Sequence, residues 1–193
     1  MIEWSQAISL PADADEFASR VIYVICNSGM RVTIAGPIAH RCFTAVCGGR
    51  SASEVFGHPG KAAAIDAIWQ QRESLFQEYR RVNAKLDFLE TLPWIGKVTK
   101  HHLAKNLGAS AAKPDVHLVR LANGDETTPA RLCRRLARLT GYKIQTIDSV
   151  LWRACADGIL NSRKYELEGW DAAFLLTTIQ QTSTPSENAA GNE

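Results

Sequence analysis

Apolar residues recur every three or four positions along most of this chain, and alternation with a period of two is nearly absent. That spacing predicts amphipathic helices throughout and an all-α fold. Pro11 to Asp15 reads as a helix start followed by an apolar-rich stretch to Ile25, interrupted by the turn formers Asn27 to Arg31. A second helix is expected over Pro37 to Val46. CGGRSASEVFGHPG then reads as a loop with at most a short helix at its centre. Lys61 to Lys85 predicts one long helix, with Ile65, Ile68, Trp69, Leu75 and Phe76 on one face. A short helix over Leu86 to Thr91 stops ahead of Pro93, which disfavours helix at the residue before it.

The second half is punctuated more sharply. Lys97 to Leu107 predicts a helix closed by Gly108, and Asp115 caps one running to Ala122. Thr128 followed by Pro129 is an N-cap with proline at the first helical position, and Gly141 ends that helix. Thr146 is expected to open a helix ending at Gly158. One more, DAAFLLTTIQ, follows Trp170 and leads into a polar tail expected to be disordered.

Composition narrows the class. With 193 residues, 46% apolar and 22% charged, the chain suits one globular domain or two small lobes. The apolar run Val21 to Cys26 is far too short for a membrane span. The acidic start lacks the basic opening of a secretory signal, which leads to the expectation of an intracellular, cytoplasmic protein. Five scattered cysteines without CxxC spacing are expected to be reduced, mostly buried thiols.

Charge distribution matters more than the net charge of +2. Between Arg80 and Lys143 there are 13 Lys and Arg against five Asp and Glu, a local excess of +8. Such a region attracts phosphates, although RLCRRLARL alone would also serve as a solvated helix face.

LPWIG, Leu92 to Gly96, is a tight corner before a helix whose first turn, GKVTK, has no acidic residue. Glycine can supply a positive φ at such a corner, leaving the helix's first amides pointing outward. Those amides with the helix dipole can hold an anion, and Lys97 and Lys100 add positive charge. An ordinary corner whose amides see water is the plainer alternative.

LETLPWIGKVTKHHLAKNLG followed by KPDVHLVRLA resembles the helix-hairpin-helix and aspartate signature of the base-excision DNA glycosylases related to endonuclease III. That pattern is Leu-Pro-Gly-apolar-Gly-x-x-Thr/Val-Ala, with an Asp about twenty residues later. Leu92, Pro93, Ile95, Gly96 and Thr99 match the hairpin; Asp115, His117, Arg120 and Leu121 match the later element, Asp115 lying 19 positions beyond Gly96. VIYVICNSGMRVTIAGPIAHRCFTAV resembles the family's early helix pair.

The resemblance implies a two-lobed helical fold, one domain over residues 1–181 with a tail over 182–193, acting as a monomer on duplex DNA that contains a modified base. It implies Asp115 as the catalytic carboxylate, which a plain N-cap role would otherwise explain. Trp94, Ile95, Gly96, Lys97, Val98, Thr99 and Lys100 are implied as the DNA-binding hairpin. His117 would orient the Asp or a phosphate, or simply pack within the helix. Asn27, Ser28 and Arg31, with Met30, fall where relatives carry wedge or strand-contacting side chains.

Three departures shape the expected chemistry. Val98 stands where lyase-active members carry the nucleophilic lysine, so water is the expected nucleophile, with no β-lyase step. Trp94 stands where the family has glycine, and it either contacts DNA or packs beneath the hairpin as core. Only Cys133 and Cys155 follow Asp115, so no iron–sulfur cluster and no other metal or cofactor is expected. Trp69 and Trp152 are candidates to stack on a base, with core the preferred place for Trp152. A non-catalytic helix-hairpin-helix DNA-binding module is the alternative function, and a helical interaction protein with a chance motif is a third.

Overall fold

The computed structural model describes residues 1–122 and 128–170, and over these the chain is all-α. Its helices are α1 (Ile2–Ala7), α2 (Ala14–Asn27), α3 (Val32–Cys47), α4 (Pro59–Gln70), α5 (Arg72–Arg81), α6 (Lys85–Thr91), α7 (Thr99–Asn106), α8 (Val116–Ala122), α9 (Pro129–Thr140), α10 (Ile144–Ala156) and α11 (Ser162–Glu168). No helix among the described residues is long and apolar enough to cross a membrane.

The hydrophobic residues gather in two packing groups. In the first, α2 is central and packs on α3, α4, α5 and α7. Asp13 caps α2 by accepting from the Glu16 amide at 2.7 Å. Its inward face, including Phe17, Val21, Ile22 and Ile25, is fully buried with Ile65, Ile68, Leu89 and Leu103. Each such side chain contributes about 1.5–3 kcal/mol by leaving water. The second group joins α8, α9, α10 and α11 around Leu118, Leu121, Leu132 and Cys133. The amino-terminal α1 packs on α10 rather than on its sequence neighbour α2. Ser5 bonds Thr146 at 3.1 Å, and the Lys143 amide donates to the Gln6 side chain at 3.2 Å.

The groups are tied together where their chains cross. A Cβ on Gly108, at φ +80, would lie 2.6 Å from the Ser9 carbonyl carbon, so this close approach needs glycine. Arg20 donates to the carbonyls of Ser9 at 2.6 Å and Asn106 at 2.8 Å. Lys105 of α7 forms an ion pair with Asp148 of α10, which also accepts from the Lys113 amide at 2.9 Å.

Several boundaries differ from the sequence-based expectation. The helix expected over Lys61 to Lys85 is two, broken at Gln71 (φ −99, ψ 7). Pro37 lies within α3, which begins earlier, at Val32. Thr146 does not open α10: it is buried within the first turn, and Lys143 is the N-cap. The helices α1 and α11 were not anticipated, being too short to show a period. Asp115, Thr128 and Gly141 mark their helix ends as expected, and a 3₁₀ turn at Ala52–Glu54 occupies the centre of the loop before α4. The helix after Trp170 and the tail lie outside the described residues.

Candidate functional site

Four helices turn one face each toward a cleft of about 270 Å³. Tyr23 and Asn27 come from α2, His102, Lys105 and Asn106 from α7, Gln145, Ser149, Trp152 and Arg153 from α10, and Trp4 from α1. Spacings of three, four, seven and eight place each set on one side of its helix. Lys113 and Asp115 enter from the connection between α7 and α8. A larger, more open depression of about 580 Å³ adjoins it and shares Trp4, Tyr23 and Asn106. Its one carboxylate, Glu16, is held by Arg20 and the Ala12 amide, so the cleft with Asp115 is the better candidate.

Asp115 is partly buried, and its Oδ1 accepts from the amides of His117 at 3.0 Å and Leu118 at 3.1 Å. These bonds cap α8 and fix the carboxylate's direction. Among the described residues Oδ2 has no hydrogen-bond partner within the chain. The capping role and a chemical role are therefore compatible in one side chain. His117 does not orient Asp115 through its ring. Its Nδ1 lies 2.9 Å from the Ser162 hydroxyl on α11, and only its backbone amide meets the carboxylate.

The cleft is electrostatically unusual. Burial, then Lys113 and Lys105, pull the His102 pKa from 6.5 down to about 3, so the ring is neutral near pH 7. Burial raises the Asp148 carboxyl above its ordinary range, while Lys105 and the Lys113 amide oppose that rise. Two of the cleft's residues each bury a side-chain atom that has no hydrogen-bond partner, Asn106 its Nδ2 and Gln145 its Oε1.

The LPWIG corner sits at the junction of α6 and α7. Leu92 and Ile95 are buried in the first packing group, so Ile95 anchors the hairpin and its side chain is not available to DNA. The residue with positive φ is Trp94 (φ 67), not Gly96, which corrects the role assumed for that glycine. Trp94 occupies the position at which the glycosylase pattern has its first glycine. Nor is Trp94 core: the residue is 45% exposed. It packs edge-on against His58 at 5.1 Å and so close over Gly60 that a Cβ there would meet it at 2.7 Å. Trp94 Nε1 donates to Ser28 Oγ at 3.2 Å. A Cβ on Gly96 would meet nothing within 4 Å.

The Lys100 amide donates to the Gly96 carbonyl at 2.9 Å where α7 begins. The helix starts at Thr99, later than the Lys97 expected, with Val98 as its N-cap. Among the described residues the amides of Gly96, Lys97 and Val98 have no backbone acceptor, and Lys97 and Val98 are exposed. Thr99 is half-buried at the first helical position. Lys100 is not free beside Lys97, because its ammonium pairs with Glu90 at 2.5 Å and lies 3.9 Å from Asp87.

The turn after α2 is held from beneath by Lys61. This buried ammonium donates to the carbonyls of Cys26 at 3.2 Å and Ser28 at 2.6 Å, satisfying the end of α2. Asn27 thereby faces the cleft, Ser28 faces the hairpin, and Arg31 is exposed as the N-cap of α3. The structure thus brings Asn27 and Asp115 together, and separately Ser28 and Trp94. Trp69 is not in the cleft: it packs on Phe43 at 5.6 Å and under Arg72 at 4.1 Å. Trp152, expected in the core, is 39% exposed and forms cleft wall. Sequence reasoning missed Asn106, Gln145, Lys105 and Asp148. The stripe Gln145, Ser149, Trp152 and Arg153, polar or amphipathic at helical spacing, was the signal available.

No family model, no curated protein and no solved structure matches this chain.

Proposed function

We propose that this protein is a monofunctional DNA glycosylase of the helix-hairpin-helix type, a two-lobed monomer that hydrolyses the N-glycosidic bond of a modified base in duplex DNA. The observation that carries the reading is Asp115. It is fixed by two amides at one oxygen, leaves the other without a protein partner among the described residues, and shares a cleft with Asn27, the last residue of α2. A base must leave the stack before any such carboxylate reaches its sugar. As the C1′–N bond breaks, its electron pair leaves with the base and positive charge grows on the deoxyribose. The Asp115 carboxylate stabilises that charge and accepts a proton from the attacking water. The water oxygen becomes the C1′ hydroxyl, the base departs, and the strand stays intact at an abasic site.

The hairpin supports the same reading. Unpaired amides at Gly96 to Val98, open space over Gly96 and the exposed Lys97 ammonium suit a backbone phosphate. The Trp94–Ser28 bond couples this hairpin to the C-cap of α2, next to Asn27 in the cleft lining. Trp94 in place of glycine is the observation that favours the second reading, a DNA-binding module without chemistry.

The test is a release assay over duplexes holding alkylated, oxidised or deaminated bases. Release of a free base, leaving an alkali-labile strand, is expected from at least one. DNA binding without release from any would support the module instead.

A further inference from the structure

Resting on the DNA-binding part of that proposal, we infer that the arginine face of α9 holds a second duplex segment, apart from the one whose lesion enters the cleft. The helix reads PARLCRRLARLT, with four arginines and no carboxylate. Leu132 and Cys133 are fully buried, whereas Arg131, Arg134, Arg135 and Arg138 are all exposed. At about 100° per residue, the arginines centre roughly 180° from the face that carries Leu132, Cys133, Leu136 and Ala137. Arg131 and Arg135 are engaged elsewhere in the chain. Arg134 and Arg138 pair with no carboxylate among the described residues. They stand one turn apart, about 6 Å along the axis. Each guanidinium can hold a phosphate through two parallel N–H donations.

This stripe faces away from the cleft. Cys133 and Leu136 of α9 gather with Ile144, Ile147 and Leu151 of α10. The cleft is lined by Gln145, Ser149 and Trp152 of that same helix, roughly 130° round it. None of the residues of α9 lines the cleft. The helix α9 therefore flanks α10 on the side away from the cleft, and its arginines face outward from there. A straight duplex with its sugar at Asp115 lies on the other side, so phosphates meeting Arg134 and Arg138 belong to a different segment.

Other anionic partners fit this face less well. A membrane takes a helix through its apolar face, and that of α9 is already packed inside the protein. A protein partner is anchored by apolar or aromatic side chains at the centre of its interface. Leu139, at the stripe's edge, is the only large apolar side chain of α9 that is exposed. Duplex DNA asks only for fixed cations, whose binding releases condensed counterions.

The experiment sediments the full chain at about 50 mM salt with two duplexes, each carrying its own dye. One is short and holds an abasic analogue, and the other is longer and free of lesions. Expected is a complex of one protein with both duplexes. Arg134→Gln combined with Arg138→Gln should weaken binding of the second duplex at least tenfold. It should also flatten that duplex's slope of log affinity against log salt by about two units. Affinity for the abasic duplex and base release should stay at wild-type levels. The wild-type stoichiometry reads the second segment without any substitution, so it holds even where the variant fails to fold. A wild-type complex that never exceeds one duplex overturns the inference. Equal weakening on the abasic duplex also overturns it, by placing the stripe on that same segment. Binding of phosphatidylserine vesicles that the double variant loses, with no second duplex held by wild type, assigns the face to a membrane instead. A two-duplex complex without base release from any lesion overturns the glycosylase reading and leaves the second segment standing. Base release by a protein that holds one duplex does the reverse.

Discussion

The indole Nε1 of Trp94 donates to the hydroxyl of Ser28 across 66 residues of sequence, joining the tip of the α6–α7 hairpin to the turn after α2. Trp94 does this from left-handed backbone, where a side chain costs about 1–2 kcal/mol relative to glycine. The packing over Gly60 and His58 offsets that cost.

The two effects separate by substitution. Trp94→Ala loses the packing and keeps the strained φ, whereas Trp94→Gly loses the packing and relieves the strain. Both are expected to be less stable than wild type, with the glycine variant about 1 kcal/mol more stable than the alanine variant in urea unfolding. Equal stabilities would mean that the backbone at position 94 relaxes freely.

Lys97 is exposed at the amides that precede α7, whereas Lys100 is engaged by Glu90. Lys97→Ala should therefore flatten the slope of log affinity against log salt by about one unit, on matched and lesion duplexes alike. Lys100→Ala should change the slope less. A loss confined to lesion duplexes would assign Lys97 to base recognition.

His102 gives a pH dependence. Its folded pKa, about 3, lies below its ordinary 6.5 because burial, then Lys113 and Lys105, disfavour the imidazolium. The unfolded chain therefore binds a proton in this window that the folded chain refuses. The contribution is fully present above about pH 6.5 and is lost as pH falls toward 3, at about 1.4 kcal/mol per pH unit for one proton. Unfolding midpoints at pH 7 and pH 4.5 should fall more steeply for wild type than for His102→Gln. Parallel falls would show that the ring titrates normally.

Much of this was legible in the chain. Capping residues announce themselves locally, so Asp115, Thr128 and Gly141 were readable as helix ends, and a 3.6-residue period is enough for the all-α class. What escaped reading depends on contacts distant in sequence. Asp148 looks like any polar residue within IDSVLW until Lys105, 43 residues away, is seen beside it. Trp152 follows the apolar Val150 and Leu151, yet its own face of α10 borders the cleft. The orphaned amides of Asn106 and Gln145 emerge only when α7 and α10 are set opposite each other. Trp94 was noticed as a departure from the glycine pattern, but its indole's route to Ser28 and Gly60 is tertiary.

Strand chemistry separates water from lysine as nucleophile. On the proposed reading, with Val98 where lyase-active glycosylases carry their lysine and Lys100 paired to Glu90, water and not an amine attacks the sugar. Borohydride should trap no protein–DNA adduct, and strand breaks should appear only after alkali. A wild-type adduct that disappears in Lys100→Ala would show that this ammonium leaves Glu90 to attack.

The most direct measurement is single-turnover base release by Asp115→Asn beside wild type, on whichever lesion duplex the wild type processes. Asn keeps an oxygen for the His117 and Leu118 amides, so the α8 cap, the fold and affinity for an abasic duplex should persist. Release should fall at least about a hundredfold, because the amide can neither stabilise the oxocarbenium charge as a carboxylate does nor take the water's proton. Release at the wild-type rate by a folded, DNA-binding Asp115→Asn protein would contradict the proposal, leaving Asp115 as a helix cap alone.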